Sequence, residues 1–159
     1  MSKSKDPLTG IVYTKNTDRV VISAGPDGPL GDMVIAYGKV YRNPALSGSP
    51  VGRFDLSAIT TSIDGNTERR EVSIEISFNK AFARKSWIAK LEPSFKAKWQ
   101  SDEVSINGVE TYPVGGAILD RPLTLGISTG TGQFIGAVGT ASISYSPGTE
   151  FFTYALTIA

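Results

Sequence analysis

The sequence contains no cysteine and no histidine in 159 residues. Without cysteine there is no disulfide, no thiolate nucleophile and no iron–sulfur cluster. Without histidine the commonest general base and the commonest transition-metal ligand are missing, and a Ser-His-Asp triad is excluded. Charge of one sign is lacking too. Sixteen Lys and Arg face fifteen Asp and Glu, a net of +1, with no block of like charge. That removes the electrostatic footprint expected of a protein that binds nucleic acid or an anionic membrane surface. No apolar run approaches the roughly 20 residues of a membrane-spanning helix. The opening MSKSKDPLTG has no apolar core of a secretory signal. The expectation is one cytoplasmic domain without metal or cofactor. Its chemistry would rest on carboxylates, Tyr, Lys, Arg, amides, bound water or cavity shape.

What is present is alternation. EVSIEISF (71–78) sets Val72, Ile74, Ile76 and Phe78 on one face and Glu71, Ser73, Glu75 and Ser77 on the other, the signature of a half-buried strand. VGRFDLSAITTSI (51–63) does the same with Phe54, Leu56, Ala58 and Thr60. DMVIAYGKVYR (32–42) reads as a strand with Val34, Ala36, Gly38 and Val40 inward and a bend or bulge at Gly38. On its outward parity lie Ile35 and Tyr37, suited to a contact between copies in a homodimer or homotrimer. Ile11–Tyr13 and Val20–Ser23 are two short β-rich runs. AGPDGP (24–29) and DGN (64–66) are turn signals. EVSINGVETYPV (103–114) reads as a hairpin about Asn107-Gly108. LTLGIST (123–129), TASISYS (140–146) and FFTYALTI (151–158) supply the last strands. Many short strands at even spacing predict an all-β fold, a roughly eight-stranded antiparallel barrel over 11–159 preceded by a flexible arm at 1–10. An insertion is expected at about 80–110. Its first part carries six Lys/Arg, Trp87, Phe95 and Trp99, with Pro93 breaking any helix. Basic residues among aromatics suit nucleic acid, but the balanced overall charge favours a lid or a subunit contact.

GTGQFIGAVGTA (130–141) holds four glycines. A phosphate loop closes with Lys-Ser/Thr and runs into a helix; here no Lys comes after the glycines, and the next residues alternate. The run therefore predicts a turn and a strongly coiled strand.

The same run resembles the GTGxFxGAxGxA segment of plant dirigent proteins, and Val51-Gly52-Arg53 and Ser77-Phe78-Asn79 fall where that family has similar runs. Leu30-Gly31-Asp32, Met33-Val34, Lys39-Val40-Tyr41 and the ending FFTYALTIA resemble allene oxide cyclases. The resemblance spans about 20–80 and 123–159 and implies an eight-stranded barrel around an apolar cavity. Where the cyclases carry a Glu, an Asn and a Ser-Pro pair on their N-terminal segment, this chain has Thr14, then Asn16, and no Ser-Pro on that segment. An aromatic and an Asn of their pocket fall on Ala36 and Gly38. The chain is also similar to bacterial small-barrel cyclases of polyketide pathways, including spirotetronate cyclases that perform [4+2] ring closure.

An eight-stranded barrel is either packed solid or holds one small ligand, and Ala36, Gly38 and Ala58 leave room. The expected function is that of a cofactor-free cyclase acting on an apolar, unsaturated small molecule by intramolecular ring closure, a [4+2] cycloaddition being one such reaction. The alternative is a non-catalytic dirigent-type barrel that binds its ligand and imposes stereochemistry. Expected pocket residues are Val34, Ala36, Phe54, Leu56, Ile74, Ile76, Phe78 and Leu125, with Trp87 as lid. Tyr154, on the face Phe152/Tyr154/Leu156/Ile158, and Asn16 are the polar candidates for catalysis. A cycloaddition needs no proton shuttle, which fits a site without a titrating base.

Overall fold

Alternating apolar residues build eight strands, and each strand pairs with its neighbour in sequence. The computed structural model describes residues 8–79, 102–114, 123–131, 134–146 and 151–158. The strands are β1 (Leu8–Ile22), β2 (Met33–Tyr41), β3 (Gly52–Asp64), β4 (Thr67–Phe78), β5 (Asp102–Pro113), β6 (Leu123–Thr131), β7 (Gly139–Ser146) and β8 (Phe151–Ile158). They form one closed antiparallel barrel in the order β1 to β8, sealed by β1 against β8. Closure gives every strand a partner on both sides, although β5 beyond Asn107 and β1 beyond Lys15 extend past their pairing with β6 and β8.

The inward faces are those the alternation marks. Val34, Ala36 and Val40 of β2, Phe54, Ala58 and Thr60 of β3, and Val72, Ile74, Ile76 and Phe78 of β4 are all buried. Register places Phe54 beside Gly38 and Ile76, and Ala58 beside Val34 and Val72, so these side chains form stacked layers. Ile35 and Tyr37 point outward and are exposed.

Three local expectations change. The two runs at 11–13 and 20–23 are parts of the single long strand β1, bent where its register against β2 shifts between Asn16 and Asp18. β1 also begins inside the expected arm, because Leu8–Gly10 pair with Ile158–Leu156. Asn107-Gly108 is no turn. β5 runs straight through it, with Asn107 opposite Ser73 and Gly108 opposite Val72. Glycine is needed there for space: a Cβ on Gly108 would lie 2.5 Å from Leu125 Cδ2. Asn107 instead donates from Nδ2 to Ser128 Oγ at 2.7 Å. The expected insertion therefore ends earlier, its last part, Asp102–Glu110, belonging to β5; residues 80–101 lie outside the described residues.

The two ends of the barrel differ. At one end Phe134, from the turn between β6 and β7, packs into the interior against Phe78 with ring centroids 5.7 Å apart. Phe54, Ile76 and Val104 lie in the same plug, all buried. The glycine run makes this possible. Gly136 sits in the turn at φ 76°, and a side chain on Gly130 would collide with the Phe134 Cβ and backbone. Gly38 closes the next layer: the Lys15 carbonyl oxygen and the Phe54 ring occupy the space its side chain would need. Gly38→Ala is expected to cost at least about 1–3 kcal/mol by overpacking against a backbone carbonyl that cannot yield. Urea denaturation measures it, and an unchanged midpoint would refute the close approach.

Candidate functional site

Above this plug the barrel is hollow. A cavity of about 50 Å³, or about 560 Å³ counted with its open mouth, is walled by Val34 and Ala36, Leu56 and Ala58, Val72 and Ile74, Ile143 and Phe152. It opens toward the end where β1 leads into β2 and β3 turns into β4. The room comes from Ala36 and Ala58. Gly38 contributes none, its space being filled.

The wall is apolar, but its polar members are concentrated. Asn16, Arg19, Arg70, Glu110 and Tyr154 all line the cavity. Strand parity puts them there. Arg70 and Glu110 are direct cross-strand partners of β4 and β5. Each lies two residues beyond an inward position, Val72 and Gly108. Tyr154 is opposite Val12 of β1 and Ile143 of β7, both fully or almost fully buried. Arg19 reaches the inner side because the shift after Asn16 brings it into register with inward-facing Ala36.

Tyr154 is completely buried, and its hydroxyl has no hydrogen-bond partner among the described residues. Thr14 Oγ1 and Asn16 Oδ1 are orphaned in the same way. Burial drives the Tyr154 hydroxyl well above the usual tyrosine range. The nearby Thr14 hydroxyl opposes this and the Glu110 carboxylate adds to it. Thr14 and Tyr154 are close enough for that influence, but their geometry completes no hydrogen bond. Tyr154 is thus a neutral donor throughout the working pH range. An unsatisfied buried polar group costs about 1–3 kcal/mol. Two of these groups, on Tyr154 and Asn16, line the apolar cavity, which points to water or a ligand as their missing partner.

Glu110 is the second feature. Only 7% of it is exposed. Burial pushes its carboxyl up to about 7, and the Arg70 guanidinium opposes the rise. Arg70 is itself held by the buried Glu68 carboxylate, with which Nη2 forms an ion pair. A carboxyl raised toward neutrality thus lines the cavity, where the sequence led to the expectation of no titrating base. Glu75 is raised too, first by burial and then by neighbouring Glu103, but it is exposed on the outer face of β4. Among the described residues no three Asp or Glu side chains converge as a metal site would.

The structure gathers Asn16, Val34, Ala36, Leu56, Ile74 and Tyr154 around the cavity. It places Phe54, Ile76 and Phe78 elsewhere, in the plug, because the Phe134 turn fills that end. Leu125 is buried against Gly108 and is not part of the wall. Trp87, the expected lid, lies outside the described residues. Sequence reasoning missed Glu110, Arg70 and Arg19. The signal for the first two was parity, since Val104, Ile106, Gly108 and Glu110 fall on one side once β5 is continuous.

No protein-family model matches the sequence, and no curated protein matches it. Solved structures do match the fold. The barrel is similar to a pyocyanin demethylase with a TM-score of 0.65 at 16% identity, covering 95% of this chain and 99% of that one. It is similar to a pterocarpan synthase dirigent protein with a TM-score of 0.60 at 15% identity, covering 98% of this chain and 87% of that one. At such identities the likeness is one of fold. The chain has the dirigent-like eight-stranded barrel, a fold that includes proteins named as enzymes.

Proposed function

We propose that this barrel is a cofactor-free cyclase that closes a ring within an apolar, unsaturated small molecule. One observation carries the reading: a carboxyl poised near pH 7 and an unpartnered tyrosine hydroxyl share a single apolar cavity. A general acid–base works best with a pKa near the operating pH, and a neutral buried donor polarises a carbonyl without being ionised itself. The apolar walls hold a flexible substrate in one fold, which in favourable cases lowers a barrier by about 7–11 kcal/mol.

The ring closure that uses both groups is an intramolecular conjugate addition. Tyr154 donates a hydrogen bond to the carbonyl of an α,β-unsaturated system. The Glu110 carboxylate takes the proton from a substrate hydroxyl as its oxygen bonds to the β-carbon. The carbon–carbon π pair moves to the α-carbon, which then takes the proton back from Glu110. No electron is gained or lost. A [4+2] closure would use Tyr154 and the walls but leave Glu110 without a task, so the carboxyl favours the addition. The solved pterocarpan synthase and demethylase make small-molecule chemistry in this fold a reasonable expectation. The second reading, a barrel that binds and orients without catalysis, draws on the mostly apolar wall.

The test is metabolite profiling of a strain lacking the gene, followed by incubation of the accumulated linear precursor with purified protein. Ring closure at the same rate and stereochemistry without the protein would refute the cyclase. Tyr154→Phe removes a donor at the carbonyl and is expected to lower kcat by about 10²–10³-fold. An unchanged kcat would leave cavity shape as the sole agent.

A further inference from the structure

One of the two cations at the cavity mouth has no ion pair among the described residues. The two are Arg19 and Arg70. Arg70 is engaged by the buried Glu68 carboxylate. Glu110, the acid of the cavity wall, stands opposite Arg70 in the β4–β5 pair, so both buried acids are placed against Arg70 and neither against Arg19. The Asp18 carboxylate accepts a hydrogen bond from the Arg19 backbone N–H at 2.8 Å. The Arg19 guanidinium itself has no ion pair or hydrogen bond among the described residues. Yet it is turned to the inner side by the register shift in β1, in line with Ala36 of the cavity wall. A guanidinium that served only solubility would sit on the outer parity, beside Val20 or Asp18. Arg19 is exposed, so an incoming ligand meets it at the rim before reaching the wall.

We infer that the substrate is an acid, with its apolar body in the cavity and a carboxylate paired to the Arg19 guanidinium at the mouth. This rests on the cavity being a small-molecule site. A planar guanidinium matches a carboxylate with two parallel hydrogen bonds, which fixes orientation as well as adding affinity. The acid end held at the rim would deliver the body of the molecule inward, toward Tyr154 and Asn16. A guanidinium without an ion pair at the rim would also draw anionic ligands and repel cationic ones.

The test uses two probes of one shape, cinnamate and its neutral amide, titrated at pH 6 into isotopically labelled protein. The backbone amide signals of Ala36 and Val72 report occupancy of the cavity. Wild-type protein is expected to bind cinnamate about tenfold more tightly than the amide, the worth of one charge-assisted pair. In Arg19→Met the ratio of the two affinities is expected to fall to about one, and in Arg19→Lys to stay between these values. Ala58→Phe, which fills the cavity, should abolish both shifts. A ratio near one in wild-type protein, or a ratio unaltered by Arg19→Met, overturns the inference and leaves the cavity as a ligand site. If neither probe moves the Ala36 and Val72 signals, the small-molecule reading falls as well.

Discussion

Glu110→Gln is expected to slow the proposed ring closure by about 10²–10⁴-fold, the usual worth of a positioned acid–base group, while stabilising the folded protein at alkaline pH. The two effects have one cause. Burial raises the carboxyl from the ordinary 4.5 to about 7. Below about pH 4.5 the group is protonated in both the folded and the unfolded chain, and folding is indifferent to it. Between about 4.5 and 7 the unfolded chain releases its proton first, so stability falls as pH rises. Above about 7 the loss is complete, and a rise from 4.5 to about 7 corresponds to about 3 kcal/mol. The amide cannot ionise. The stability of Glu110→Gln relative to wild type should therefore improve by about 3 kcal/mol between pH 4 and pH 8. Chemical denaturation at the two values measures this. A pH-independent difference would show that Glu110 is solvated and ordinary. A residue that costs the fold stability at its working pH is one whose place is explained by chemistry.

Phe134→Ala is expected to destabilise the barrel by about 3–5 kcal/mol, as for other buried Phe truncations. Phe134 is 1% exposed and reaches into the barrel from a turn between strands. Its removal unpacks Phe78 and opens the plugged end. Thermal unfolding reads the loss as a drop in Tm. A loss below about 1 kcal/mol would mean that the plug collapses without it. The variant also separates the two ends. The cavity wall lacks Phe134, so binding of a neutral apolar probe by the folded fraction should survive better than stability does.

How far the sequence speaks depends on parity. Val72, Ile74, Ile76 and Phe78 could be placed because one dry face and one wet face alternate without interruption. The same holds for Phe54, Leu56 and Ala58. The glycine run was legible as a turn, since the residues after it alternate; that Phe134 within it plugs the barrel was not, because a turn residue has no strand parity to read. Asn107-Gly108 misled, being a strong hairpin signal. In the barrel Gly108 answers to Leu125 packing across it, and no local pattern records a side chain seventeen positions away. That one misreading hid Glu110: broken at Gly108, the strand loses the alternation that carries Val104 and Ile106 inward to Glu110. Starting β4 at Glu71 hid Glu68 and Arg70 likewise, although they continue the inward series of Val72 and Ile74. Arg19 was beyond reach, since a register shift between Asn16 and Asp18 reverses the parity of the rest of β1. Tyr154 and Asn16 were reachable, one through strong alternation in β8 and the other through the cyclase resemblance.

The central claim is that the barrel holds a proton-exchanging group inside an apolar cavity. Its most direct test is the pH titration of the Glu110 side-chain carboxyl carbon by NMR, with Glu110→Gln used to assign the signal. The account predicts a midpoint of about 7. A midpoint near 4.5, shared with ordinary surface glutamates, would contradict it.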